Sequence, residues 1–329
     1  METWTTEKLL AAGRGFMDSR IVLTAVELDL FTLLDGSAMT LEEVTVEAGL
    51  SPRGAPILLD GLAALGLLEK KDGRYSPGAG ALPLSSKHPQ SVLPMMRHSA
   101  SLWNRWSELT AIVRTGKGGE RPAGAFDDPG ELEAFIGAMH VVGRDTAAEI
   151  ARTVRAQEAR KLLDVGGATG TYAEAFLREY PQMKATVFDR PPVIEMARRR
   201  MEPLDIWPRL MLTAGDFYQD YLPGGHDLVL LSAIIHQNSP EQNIALYRKC
   251  FDALVPGGRL LIRDHVLSDD RTRPVSGALF ALNMLACTNG GNCYTLAEIA
   301  ETLAQAGFGR VSLLRDGDRM DALVEAFKP

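Results

Sequence analysis

The apolar positions along the chain follow two regimes. Between about residue 16 and residue 66 they recur at helical spacing. From residue 161 onward, short unbroken apolar runs alternate with amphipathic stretches, as strands buried between layers of helices do. Phe16–Leu34 carries Ile21, Val22, Ala25, Val26, Leu28 and Phe31 over most of a helical surface. Such a helix is buried, often against a second subunit. Thr40 stands three residues before Glu43, a capping-box spacing, and opens a short helix to Ala48. Pro52 starts another helix, which runs to about Leu65 and stops at Gly66. LLEKKDGRYSPG then reads as a hairpin turning on Asp72-Gly73. Three helices and a hairpin predict a winged helix. Residues 77–130 are rich in Pro, Gly and Ser, hold a helical segment with Trp103 and Trp106, and end in the loop GKGGERPAGAFDDPG. Phe135, Met139, Val142, Thr146 and Ile150 then predict one long helix over Glu131–Arg155.

The second regime turns on Lys161 to Arg190, which reads as strand, glycine loop, helix and strand. The first strand ends on Asp164-Val165, and Gly166, Gly167 and Gly170 follow at once. Glycines there let backbone approach a ligand where a Cβ would collide. Asp189 closes the second strand, at the carboxyl edge of a parallel sheet, where it is placed to accept both hydroxyls of an adenosine ribose. The loop fails the G-x-G-x-x-G pattern, since Ala168 and Thr171 occupy the glycine positions, and it lacks a P-loop's Gly-Lys-Ser/Thr ending. What remains, D-V-G-G-x-T-G, resembles motif I of the S-adenosylmethionine-dependent methyltransferases, whose cofactor has no phosphates to cradle.

Further strands follow in order. LMLTAGDFYQD places Asp216-Phe217 at a third strand end, an acid for the adenine amino group and a ring to cover the base. The apolar run from His226 predicts a fourth strand that ends in His236 at the same crevice. Ser239 and Pro240 open the next helix. A fifth strand ends at Arg263-Asp264-His265, where Asp264 is placed either to orient His236 or simply to cap the loop. Neutral imidazole titrates nearest physiological pH and suits general-base work on a hydroxyl. Residues 271–290 predict a helix with Phe280, Asn283, Met284 and Cys287, and Thr295 with Glu298 marks another capping box. GRVSLLR and MDALVEAFK close the chain as an antiparallel hairpin about Gly317, so the final strand enters the sheet reversed.

Composition narrows the function classes. The chain has 329 residues, a length that favours two domains, and a net charge of −7. Residues 1–90 hold eight basic and twelve acidic side chains, and Pro52–Leu65 carries only Arg53 and Asp60. A groove-reading helix needs a basic surface, so this winged helix is not expected to bind nucleic acid. No apolar stretch is long enough to span a membrane, and METWTTEKLLAAGRG is not expected to act as a signal peptide. Cys250, Cys287 and Cys293 show no metal-ligand spacing, so no metal is expected, and a reduced cytoplasm is the simplest location.

Together, DVGGATG, VFDRPPVIE, GDFY, SAIIHQNSPEQ, LVPGGRLLIRD and YTLAEIAETLAQAGF resemble the caffeic-acid-type O-methyltransferases and their bacterial relatives acting on aromatic secondary metabolites. The resemblance covers nearly all of residues 15–328. It implies a winged-helix dimerisation domain joined to a Rossmann-like methyltransferase domain. It also implies Gly166, Asp189, Asp216, Phe217 and Ser232 at the cofactor and His236 as base. Two departures stand out. Gln237-Asn238 replace the usual acid and tryptophan after the histidine, and Cys293 stands where a second acid beside the base is expected.

The expectation is therefore an α/β fold with a mostly parallel sheet and an antiparallel last strand, preceded by a mainly helical winged-helix domain. Its parts are 1–90 for dimerisation, 91–155 as a helical linker and pocket region, and 156–329 for S-adenosylmethionine. The expected protein is a cytoplasmic homodimer that methylates a hydroxyl of a small, aromatic acceptor, with His236 and Asp264 catalytic. Asp164, Gly166, Gly167, Gly170, Asp189, Arg190, Asp216, Phe217 and Ser232 are the cofactor candidates. Trp103, Phe135, Met139, His140, Asn283, Met284, Cys287 and Cys293 are the acceptor candidates. The alternatives are N- or C-methylation, a non-methylating reaction on the same fold, and a ligand-sensing winged-helix regulator.

Overall fold

The computed structural model describes residues 3–118 and 128–329. The stretch 119–127, within the predicted GKGGERPAGAFDDPG loop, lies outside the described residues. The chain forms two compact units, Met1–Trp103 with Asp128–Val141, and Asn104–Asp127 with Val142–Pro329.

The first unit is mainly helical. The predicted Phe16–Leu34 helix is two helices, Thr6–Glu27 and Leu30–Leu34, because the chain breaks at Asp29, whose φ is +53°. Leu41–Glu47 is closed by the predicted capping box, with Thr40 and Glu43 each bonding the other's backbone. Gly54–Ala64 follows, and then Leu68–Lys71 and Arg74–Pro77 pair antiparallel through Lys71 and Arg74. Met39–Thr40 adds a short third strand to that hairpin, which the hydrophobic pattern does not signal. Ala25, Val26, Leu30, Phe31, Leu34, Leu59, Leu62 and Tyr75 fill the core of this unit.

The second unit is built on seven strands: β1 (Lys161–Val165), β2 (Lys184–Asp189), β3 (Leu210–Ala214), β4 (His226–Ser232), β5 (Leu254–Asp264), β6 (Gly309–Arg315) and β7 (Ala322–Phe327). Their order is β6-β7-β5-β4-β1-β2-β3. The five central and distal strands β1 to β5 are parallel to one another, and β7 runs antiparallel to both β5 and β6. Leu162, Leu163, Val229, Leu230, Leu231, Leu260 and Leu261 are buried, as strands covered on both faces require. One face packs on Tyr247, Cys250, Ile299 and Leu303, and the other on Ile150, Phe176, Leu177 and Met201.

Three predicted elements have different bounds. Glu131–Arg155 is two helices, Pro129–Arg144 and Ala147–Val154, separated at Asp145-Thr146. The fourth strand stops at Ser232, and Ala233 takes a φ of +58°. His236 therefore lies in a short 3-10 turn, Ile235–Gln237, and not on the strand itself. The helix drawn over 271–290 is confined to Val275–Cys287, after Pro274. Among the described residues no helix is long and apolar enough to cross a membrane.

Candidate active site

The carboxyl ends of β1, β2 and β4 bring the glycine loop, Asp189 and the His236 turn to one edge of the sheet. Gly166 has a φ of +67°, and a Cβ there would meet the Ile234 Cδ1 at 2.6 Å. A Cβ on Gly167 would meet the Asp164 carboxyl carbon at 2.7 Å. Both positions are packed too closely by neighbouring side chains for any residue but glycine. Gly170 is the N-cap of the helix Thr171–Glu179.

Asp164 lies beneath the loop, fully buried, with neither carboxylate oxygen hydrogen-bonded. Burial pushes its pKa up to about 7; the nearby Ala173 amide opposes the rise and the Asp189 charge adds to it. Asp189 accepts from the Ala168 amide at 2.9 Å and the Arg190 amide at 2.7 Å, which holds the loop against the end of β2. Burial raises its pKa and those amides partly offset the rise. Arg190 is the N-cap of the helix Pro191–Met201. Asp216 lies two residues past β3 and accepts from the Tyr218 amide at 2.8 Å. The Phe217 ring lies beside Gly166, 3.3 Å from where a Cβ would be.

His236 is buried, and its Nδ1 lies 2.8 and 2.9 Å from the two oxygens of Asp264. Burial alone would raise the Asp264 pKa. The His236 charge and hydrogen bond, with the His265 amide at 2.8 Å, outweigh it and hold the carboxyl below its ordinary range. An ionised carboxylate only accepts, so Nδ1 carries a proton, and in the neutral form of the ring Nε2 is the nitrogen that keeps its lone pair. The Phe280 ring stands edge-on to His236 at 4.9 Å and tilts against His265 at 5.3 Å. Cys293 is buried, and burial followed by the Asp264 charge pushes its thiol up to about 12. It stays neutral and supplies no second anion to the imidazole.

The acceptor candidates divide between the units. In the first, Trp103 lies under the Arg20 guanidinium, Phe135 meets the His98 ring at 5.2 Å, and Met139 and His140 are half-buried on the same helix. In the second, Asn283 accepts from the Trp106 indole at 2.9 Å and lies 3.6 Å from the Cys287 sulfur, and Met284 is buried.

Sequence reasoning gave no role to several residues that shape this edge. Asn238 is fully buried; it accepts from the Tyr218 hydroxyl at 2.5 Å and donates to Asn243 at 2.9 Å, while Asn243 donates to the Ile235 carbonyl. This network anchors the His236 turn where the usual acid and tryptophan are missing. Lys249 donates to the carbonyls of Phe217, Tyr218 and Asp220 and pins the segment after β3. Arg263 donates to the Ser232 hydroxyl at 3.2 Å. A charge inside an apolar strand run was the available signal for Arg263; nothing local marks Lys249 or Asn243.

Residues 106–309 match the O-methyltransferase domain and residues 11–85 the O-methyltransferase dimerisation domain. This chain belongs to the O-methyltransferase family. The family is S-adenosylmethionine-dependent. The chain is 35% identical to the tetracenomycin polyketide synthesis 8-O-methyl transferase TcmO of Streptomyces glaucescens, over 91% of this chain and 90% of that protein. It is 34% identical to 3-hydroxy-5-methyl-1-naphthoate 3-O-methyltransferase of Streptomyces sahachiroi, over 92% and 89%. Its fold matches human N-acetylserotonin methyltransferase in complex with SAM at a TM-score of 0.85 and 25% identity, covering 99% of this chain and 98% of that one.

Proposed function

We propose that this O-methyltransferase methylates a hydroxyl on a small aromatic, polyketide-like acceptor, with His236 taking the proton. The observation that carries the reading is the buried His236–Asp264 contact, with Nδ1 held at 2.8 Å. Asp264 fixes the tautomer, orients the ring and stabilises the imidazolium that forms when Nε2 accepts a proton. Phe280 limits the ring's freedom from the other side.

The crevice is compatible with the cofactor: Asp164 has two unpartnered oxygens beneath the loop, and Gly166 and Gly167 put no side chain on it. Asp189 would hold the ribose, Asp216 and Phe217 the adenine, and the glycine loop the centre of the molecule. S-adenosylmethionine supplies an activated methyl group on a good leaving group. The residues of this chain align the acceptor, remove its proton and exclude water. The neutral Cys293 leaves Asp264 as the carboxylate beside the base. Both bacterial relatives carry names that specify an O-methyl transfer, one in polyketide synthesis and one on a naphthoate, which favours a fused aromatic acceptor. The first unit is proposed to bring two copies together.

The test is incubation with S-adenosylmethionine labelled in its methyl group and a panel of hydroxynaphthoates, polyketide phenols and aromatic amines. Release of S-adenosylhomocysteine with a labelled methyl ether is the expected result. A labelled N-methyl or C-methyl product, or consumption of acceptor without S-adenosylhomocysteine, contradicts the proposal.

A further inference from the structure

Arg263 interrupts the apolar run Leu260–Ile262 of β5, and only 2% of it is exposed. Its Nη1 donates to Ser232, its guanidinium lies 5.0 Å from the centre of the Tyr172 ring, and its Nε is buried with no hydrogen-bond partner. It makes no ion pair among the described residues. Other arginines of this unit do: Arg259, on the same strand, pairs with Glu325 at 3.0 Å, and Arg200 pairs with Glu174. A buried guanidinium without a counter-charge is costly, and an arriving anion removes that cost.

Its place in the fold says where the anion comes from. Leu231 is level with Val165 and Arg263 with Ser232, so the residue after each strand position brings Ser232 level with Gly166. Arg263 is thus two strands, roughly 10 Å, from the glycine loop. Tyr172 is in the first turn of the helix that the loop opens. Ser232 occupies one arm of the guanidinium and Tyr172 supports its plane. Nε is left over, and the edge it forms with Nη2 is the one that takes a carboxylate side-on through two parallel hydrogen bonds.

We propose that Arg263 binds the α-carboxylate of the methionyl arm of S-adenosylmethionine, with Ser232 and Tyr172 holding the guanidinium in place. The assignment rests on the cofactor reading of this crevice. It makes the arm's acid group, and not only the nucleoside, a determinant of affinity.

The test is calorimetric titration of wild type, Arg263→Met and Arg263→Lys with S-adenosylmethionine and with its decarboxylated form, which keeps the amine and the sulfonium. Circular dichroism checks the fold of each variant. Wild type is expected to prefer the carboxylate form by about 10- to 100-fold, the range for hydrogen bonds to a charged group. Arg263→Met is expected to bind the two forms alike, and Arg263→Lys to keep part of the preference. Equal binding of the two forms by wild type overturns the proposal whatever the variants do. So does an Arg263→Met protein that keeps the preference, even at lower overall affinity. If wild type binds neither nucleoside, the cofactor reading itself fails and this assignment fails with it.

Discussion

At the scale of single residues, the site depends on buried groups whose charge is set by their surroundings. Asp264 and Asp164 are both buried carboxyls, yet their pKa values move in opposite directions. Asp264 has an imidazole and an amide; Asp164 has no hydrogen-bonded partner, so burial dominates. The sign for Asp164 follows by linkage. Between about pH 4, where an unfolded aspartate loses its proton, and about pH 7, where the folded one does, the native state holds the extra proton. That contribution is fully present below pH 4 and is lost as pH rises to about 7. The melting temperature of wild type should therefore fall relative to Asp164→Asn across that window and track it above pH 7. A constant difference from pH 4 to pH 7 would remove the carboxyl from the account. The sequence marked Asp164 by position alone. It left Asp264 open between orienting His236 and capping the loop, because the contact depends on how the turn after β4 meets the end of β5.

At the scale of elements, local signals read well and junctions read poorly. Thr40 with Glu43 and Thr295 with Glu298 form the capping boxes that their spacing predicts. The Asp72-Gly73 hairpin forms as well, with both residues at positive φ. The breaks at Asp29, Asp145 and Ala233 were invisible, since none is a glycine or a proline. Ser239 and Gln242 form a third capping box, directly after the His236 turn. Its loss in Ser239→Ala should cost about 1 kcal/mol. In a domain of this size that lowers the melting temperature by about 2–4 °C, read by scanning calorimetry. An unchanged melting temperature would mean that tertiary packing alone holds the start of that helix.

At the scale of the whole molecule, the fold class was legible because its strands are continuous apolar runs and its first third is helical. The point where the two compact units divide was not, because the helices Leu93–Ser107 and Pro129–Arg144 run through the boundaries between them. Residues 3–19 are exposed throughout, although the helix there carries Leu9, Leu10, Phe16 and Met17, each more than half exposed. A helix draws most of its stability from packing its apolar face, so a second copy covering these residues is the expected state. Leu9 and Phe16 share one face, seven residues apart. Replacing both by Asp should shift the mass measured by light scattering from dimer to monomer; a monomeric wild type, or a variant that stays dimeric, contradicts this. The central claim remains that His236, held by Asp264, takes the acceptor's proton. Its most direct test is His236→Ala, assayed for turnover and for S-adenosylhomocysteine affinity on the same preparation. The account predicts a loss of about a hundredfold or more in kcat with affinity unchanged; turnover at the wild-type rate would contradict it.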